Sequence, residues 1–178
     1  MTIGLHEAKL LIECEKQLVA LAEWKPVENR EGRAEKHIFE ARIAIDGTLP
    51  RGLWFRILVY PRFLNCGTFQ LDCDKPGSRS HHTLYRLEWR PIRGHINGQH
   101  GPPEYRGLPF RPGETHHHCC LDHTVDAEGR IRAGDVQCAR PIVPDFRNFD
   151  EALAFACDTL RIWNRADIPR PGDQGALF

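Results

Sequence analysis

Thr115 to His123 reads Thr-His-His-His-Cys-Cys-Leu-Asp-His, and eight of the chain's ten histidines lie between His81 and His123. Along a strand, successive side chains point to opposite faces. A strand here puts His116, His118, Cys120 and Asp122 on one face, and Thr115, His117, Cys119, Leu121 and His123 on the other. Leu121 is the one large apolar side chain in the run. Core filling therefore does not account for the segment. Proton transfer, metal ligation or ligand binding does.

The first chemistry is acid–base catalysis. Histidine gives and takes protons near neutral pH. RNA carries its own nucleophile in the 2′-hydroxyl, so its cleavage needs a base, an acid and a cation for the phosphate. The second is zinc. Same-face residues two apart on a strand can converge on one ion, and His and Cys are its preferred ligands. His117, Cys119 and His123 make one set; His116, His118 and Cys120 with Asp122 make the other. Neither spacing matches the paired blocks of structural zinc sites. No metal is expected on that ground, with zinc as the alternative. The third is a polar sheet face whose histidines only bond neighbours and water.

These residues need elements to hold them. Residues 4–24 read as a helix, with Ala8, Leu11, Leu18 and Leu21 on one stripe, ended by Trp24-Lys-Pro. Residues 27–36 read as a linker or short edge strand. Alternation then marks strands at 37–45 (Phe39, Ala41, Ile43) and 53–59 (Leu53, Phe55, Ile57, Val59). A third strand surrounds Phe69 and Leu71. Residues 84–89 form a fourth, with Tyr85, Leu87 and Trp89 on one face and Arg86 and Glu88 on the other. Residues 115–123 make a fifth and 136–143 a sixth. Asn148 with Glu151 signals the start of a helix over 149–164. The expected fold class is α+β: an antiparallel meander of five or six strands, with both helices packed on one face. Residues 1–164 are expected to form one domain and 165–178 a flexible tail.

Residues 90–114 hold five glycines, five prolines and four arginines (Arg90, Arg93, Arg106 and Arg111), together with His95 and Asn97. A loop of that length beside a histidine-rich strand reads as a lid or phosphate-binding loop. Lys+Arg and Asp+Glu are equal at 24 each, so no global basic field draws nucleic acid; a local arginine patch is what remains. No apolar run is long enough to span a membrane, and the N-terminus lacks a signal-peptide pattern. The expected compartment is the cytoplasm, with the seven cysteines as thiols.

Tyr85-Arg86-Leu87, His95-Ile96-Asn97 and His116-His117-His118, followed by a closing helix after Asp145-Phe146, resemble in order the TumE-like toxins of bacterial toxin–antitoxin operons. The resemblance covers residues 84–164. It implies a toxin-type, metal-independent ribonuclease with His95, His116, His118 and Tyr85 as catalytic groups. Arg86, Asn97, Arg93 and Arg106 would bind the RNA substrate, and a cognate antitoxin or other protein would be the partner. The rival expectation is a non-enzymatic binding protein from a mobile element, with an anti-defence or accessory role.

Overall fold

The computed structural model describes residues 3–19, 23–31, 34–50, 52–60, 63–74, 81–99, 101–122, 127–131 and 138–171. In chain order the elements are β1 (Ile3–Gly4), α1 (Leu5–Glu13), β2 (Gln17–Val19), β3 (Lys25–Glu28), β4 (Ala34–Ala44), β5 (Leu53–Tyr60) and β6 (Phe63–Asp74). They continue with β7 (His81–Trp89), β8 (His95–Ile96), β9 (Pro109–Phe110), β10 (His116–Cys119), β11 (Arg130–Ile131), β12 (Ala139–Pro141) and α2 (Phe149–Thr159). The fold is α+β, as expected, but the main sheet has eight strands rather than five or six. Their order is β12-β10-β7-β6-β5-β4-β2, with β3 also paired to β4, and every named strand pairing is antiparallel. The extra strands are short pieces, β2 and β3, that share the outer edge of the long β4.

The sheet has one apolar and one polar face because its strands alternate in phase. Burial alternates along the whole of β5. Phe39, Ala41, Ile43, Leu53, Phe55, Ile57, Phe69, Leu71, Leu87 and Trp89 are all buried in one core cluster. Ala8 and Ile12 of α1 and Ala152, Leu153, Ala156 and Cys157 of α2 belong to the same cluster. Phe149 at the start of α2 sits 5.6 Å, ring to ring, from Phe69. On the polar face Arg56 bridges Glu40 at 2.7 Å and the fully buried Asp72 at 2.9 Å.

The pairing of β6 with β7 shifts between Leu71 and Asp72, so that Leu71 faces Tyr85 while Asp72 faces Thr83. Leu84 is the extra residue, and Leu84 and Tyr85 are both buried. Such a bulge reverses the parity of a strand. It lets Thr83 bond Asp72 on the polar face while Tyr85, Leu87 and Trp89 enter the core.

Three expected boundaries are corrected. The first helix stops at Glu13 rather than residue 24, because Lys16 turns inward and Leu18 pairs with Ile43 of β4. The second stops at Thr159 rather than 164, where Arg161 takes a left-handed conformation (φ 53°). The histidine strand ends at Cys119, and Cys120–Asp122 form a 3-10 turn, so Cys120 and Asp122 do not continue the alternation. His123 lies outside the described residues. Of the expected tail, Arg165–Asp167 form a 3-10 turn and Ile168 is buried; 172–178 lie outside the described residues.

Asn148 caps α2 as its sequence suggests, its side-chain oxygen accepting from the Glu151 N–H at 3.0 Å. Glu151 reaches back one residue further than a capping box requires, to the Arg147 N–H. Leu160 follows α2 and is fully buried. Leu160→Ala is expected to cost about 2–5 kcal/mol, the range for truncating a buried leucine. Urea unfolding measures it, and a loss under about 0.5 kcal/mol would mean that the stripe is not buried.

All seven cysteines are free thiols. Thiol titration of freshly purified, denatured protein is expected to count each one. A deficit of two would show a disulfide absent from this fold.

Candidate metal centre

β10 lies against β7 with His116 opposite Glu88 and His118 opposite Arg86. Strand parity therefore collects His116, His118, Arg86 and Glu88 on the polar face, and sends His117, Cys119, Leu87 and Tyr85 to the core side. The sequence reading expects His116 and His118 to face solvent. Both are buried, at 0% and 2% exposure.

The segment between β7 and β10 covers them. It forms a small hairpin, β8 with β9, in which His95 pairs with Phe110. Gly94 is required just before it: a Cβ there would stand 2.3 Å from the Phe110 carbonyl oxygen. The His95 ring stacks on Phe110 at 5.1 Å and lies 4.7 Å from the His116 ring and 5.3 Å from that of His118. Asn97 pins the hairpin to the sheet. Its amide nitrogen donates to the carbonyls of Tyr105 and Ala139, and its oxygen accepts from the Ala139 N–H.

Four groups thus converge. Glu88, His95, His116 and His118 each offer a donor atom, and all four atoms lie within 4.8 Å of one another. Among the described residues this is the one such group. His116 Nδ1 sits 2.7 Å from the Glu114 carbonyl oxygen. A carbonyl only accepts, so Nδ1 donates and the lone pair of a neutral ring is left on Nε2. That nitrogen is 3.3 Å from a Glu88 oxygen, and His118 Nε2 is 3.8 Å from the other. Neither contact is aligned as a hydrogen bond: His95 Nε2, His116 Nε2 and both ring nitrogens of His118 are buried without a hydrogen-bond partner. Leaving a buried polar atom unsatisfied costs about 1–3 kcal/mol, so several in one place call for an occupant.

A divalent transition metal fits. Bonds of about 2.1 Å put tetrahedral donors about 3.4 Å apart, so small ring rotations draw these four onto one ion. The Nδ1–H···O=C bond of His116 is the outer support that metal-bound imidazoles commonly have. The electrostatics favour the deprotonated form of three of the donors, Glu88, His95 and His118. Burial raises the Glu88 carboxyl, but positive charge on the His116 ring and the Arg86 guanidinium, 2.9 Å away, outweigh it and lower the pKa. Burial, helped by Arg86, lowers His118 to about 2. Burial and His116 lower His95.

The other expected site residues fall elsewhere. Tyr85 is buried on the core side, 5.7 Å ring to ring from His117, and burial raises its phenol pKa. The Asn97 amide is spent on backbone groups, so it positions His95. Arg106 is exposed and donates to the Gly101 carbonyl. Arg93 is exposed at the wall of a pocket of about 690 Å³ that reaches Glu88. Of the first zinc set, His117 and Cys119 lie on the core side of β10, and Asp122 of the second pairs with Arg140. Glu88 is the member of the cluster that lies outside the candidates read from the sequence. Its signal was present, since it shares parity with Arg86, but nothing local paired it with histidines 28 and 30 residues away. No helix among the described residues is long and apolar enough to cross a membrane. Comparison with protein-family models, curated proteins and solved structures gives no match.

Proposed function

We propose that the protein is a metalloenzyme whose centre, Glu88, His95, His116 and His118, holds one divalent first-row transition metal. The observation that carries this is the convergence of four donor atoms with buried, unpartnered imidazole nitrogens. Three neutral imidazoles and a carboxylate suit zinc, iron, manganese or nickel better than calcium or magnesium, which prefer oxygen. Such an ion polarises a bound oxygen or activates water, and the pocket at Glu88 gives a ligand access to it. In this reading both helices back the apolar face and leave the opposite face to the site.

Metal-free RNA cleavage by His95 and His116 or His118, with Arg86 as the phosphate clamp and a cognate antitoxin as partner, is the second reading. The placement of Arg86 beside the cluster favours it. It has less support than the first, because the imidazoles are covered and His118 is held neutral. One experiment separates them. Metal-stripped protein titrated with cobalt(II) is expected to develop one visible ligand-field spectrum per chain, bleached by excess zinc. Absence of uptake, with cleavage of RNA undiminished in EDTA, would reverse the order of the two readings.

A further inference from the structure

Arg90, just after β7, adopts a left-handed conformation (φ 46°) and turns the chain back over the polar face. The Pro91 carbonyl accepts the Gly113 N–H at 2.8 Å, and Ile92 lines the pocket together with Cys66. This segment roofs the pocket of about 690 Å³. Tyr60, Cys66, Thr68 and Glu88, which share the polar face of the sheet, line it from below, and Glu35 and Arg93 stand in its wall. The same loop carries Arg93 and, two residues later, the ligand His95. Both ends of the pocket are therefore fixed to one frame.

Of its three charged side chains Glu88 pairs with Arg86, while Glu35 and Arg93 are exposed to the pocket and solvent. Neither Glu35 nor Arg93 makes an ion pair among the described residues. Both lie close enough to act on the Tyr60 phenol: burial, Cys66, Glu35 and Glu88 raise its pKa, and Arg93 lowers it. An unpaired carboxylate and an unpaired guanidinium in one pocket, both acting on one phenol, match a molecule carrying both signs. A simple anion would meet Glu35, and a simple cation would meet Arg93. An RNA strand needs a track of several cations, and this pocket supplies one. Its volume is in the small-molecule range.

From the unpaired Glu35 and Arg93 that both line this pocket, we infer that it binds a small zwitterion of the amino-acid class. Arg93 takes the carboxylate, Glu35 takes the ammonium, and the rest of the molecule points toward Glu88. The inference rests on the metal-centre reading only for what the bound molecule meets at Glu88. The pocket's selectivity comes from residues that are not ligands.

The test is calorimetric titration of the full chain with the standard L-amino acids, first in EDTA and then with one equivalent of zinc. At least one amino acid is expected to bind. Its deaminated and decarboxylated analogues, and the Arg93→Ala and Glu35→Ala variants, should each bind about tenfold more weakly, the loss of one charge contact. The exchanged pair Glu35→Arg with Arg93→Glu should recover part of the loss. No amino-acid binding in either state overturns the inference. So does equal binding of the deaminated acid, or displacement by a short oligouridylate. Binding in EDTA with no zinc uptake sinks the metal reading alone; zinc uptake with no amino-acid binding sinks this inference alone.

Discussion

One equivalent of zinc is expected to raise the melting temperature of the metal-stripped protein by about 5–10 °C, and His118→Ala to abolish that rise. A ligand that binds only the folded state stabilises it by about 2.7 kcal/mol at a hundredfold excess over its Kd, and a domain of this size moves by roughly 2–4 °C per kcal/mol. His118 is the informative position. It is buried, neither ring nitrogen has a hydrogen-bond partner, and burial keeps it unprotonated. Removing it from the apo-protein breaks no hydrogen bond, so the variant should fold and lose only packing. Removing it from the loaded protein deletes one donor of four, and affinity should fall by about a hundredfold or more. His117→Ala is the matched control. His117 lies on the opposite side of the same strand, against Tyr85 and Phe155, so it should alter stability without altering zinc affinity. If zinc shifts wild type and His118→Ala equally, the cluster is not the site.

Much of this architecture was legible because each central strand has one buried face. Phe39, Ala41 and Ile43, then Leu53, Phe55 and Ile57, announce β4 and β5 by their period of two, and a meander joins such strands with little ambiguity. The shared face of His116 and His118 was legible for the same reason. What periodicity could not show was register. Glu88 meets His116 only because β10 pairs with β7 across a long excursion. His95 reaches the site through contacts distant in sequence: Gly94 passing the Phe110 carbonyl, and the Asn97 amide gripping Ala139. The loop's glycines and prolines signalled a long excursion without its geometry. The His-x-Asn spacing singled out Asn97, whose amide is engaged by the Tyr105 and Ala139 backbone, since an amide's two donors and one acceptor serve a backbone clamp as well as a substrate. The first helix was overextended because Leu18 and Leu21 continue a helical stripe. A buried lysine, which no amphipathic pattern anticipates, cuts it short.

That lysine carries the second large expectation. Lys16→Ala should lower stability by about 4–5 kcal/mol. Its ammonium nitrogen donates to the carbonyls of Ile12, Cys14 and Leu160, each at 2.8 Å, and the residue is 1% exposed. Two of those carbonyls belong to the end of α1 and one to the end of α2, so a single side chain closes both helices. Its backbone joins the same seam, accepting from the Trp163 N–H and donating to the Arg161 carbonyl. Each carbonyl left unsatisfied in a buried setting costs about 1–3 kcal/mol. Removal of a buried charge offsets part of that sum, which puts the net near the upper end for single substitutions. Burial pulls the Lys16 pKa down from 10.5 to about 8. Between those values the unfolded chain still holds a proton that the folded chain has released. The residue's contribution therefore rises with pH through that window and is least favourable below pH 8. Urea unfolding of wild type and Lys16→Ala from pH 7 to pH 10 measures both effects. Wild type should be the more stable throughout, and its advantage should widen above pH 8. If the two proteins run parallel across that range, the ammonium keeps its proton in the fold, and the three carbonyl bonds outweigh the burial.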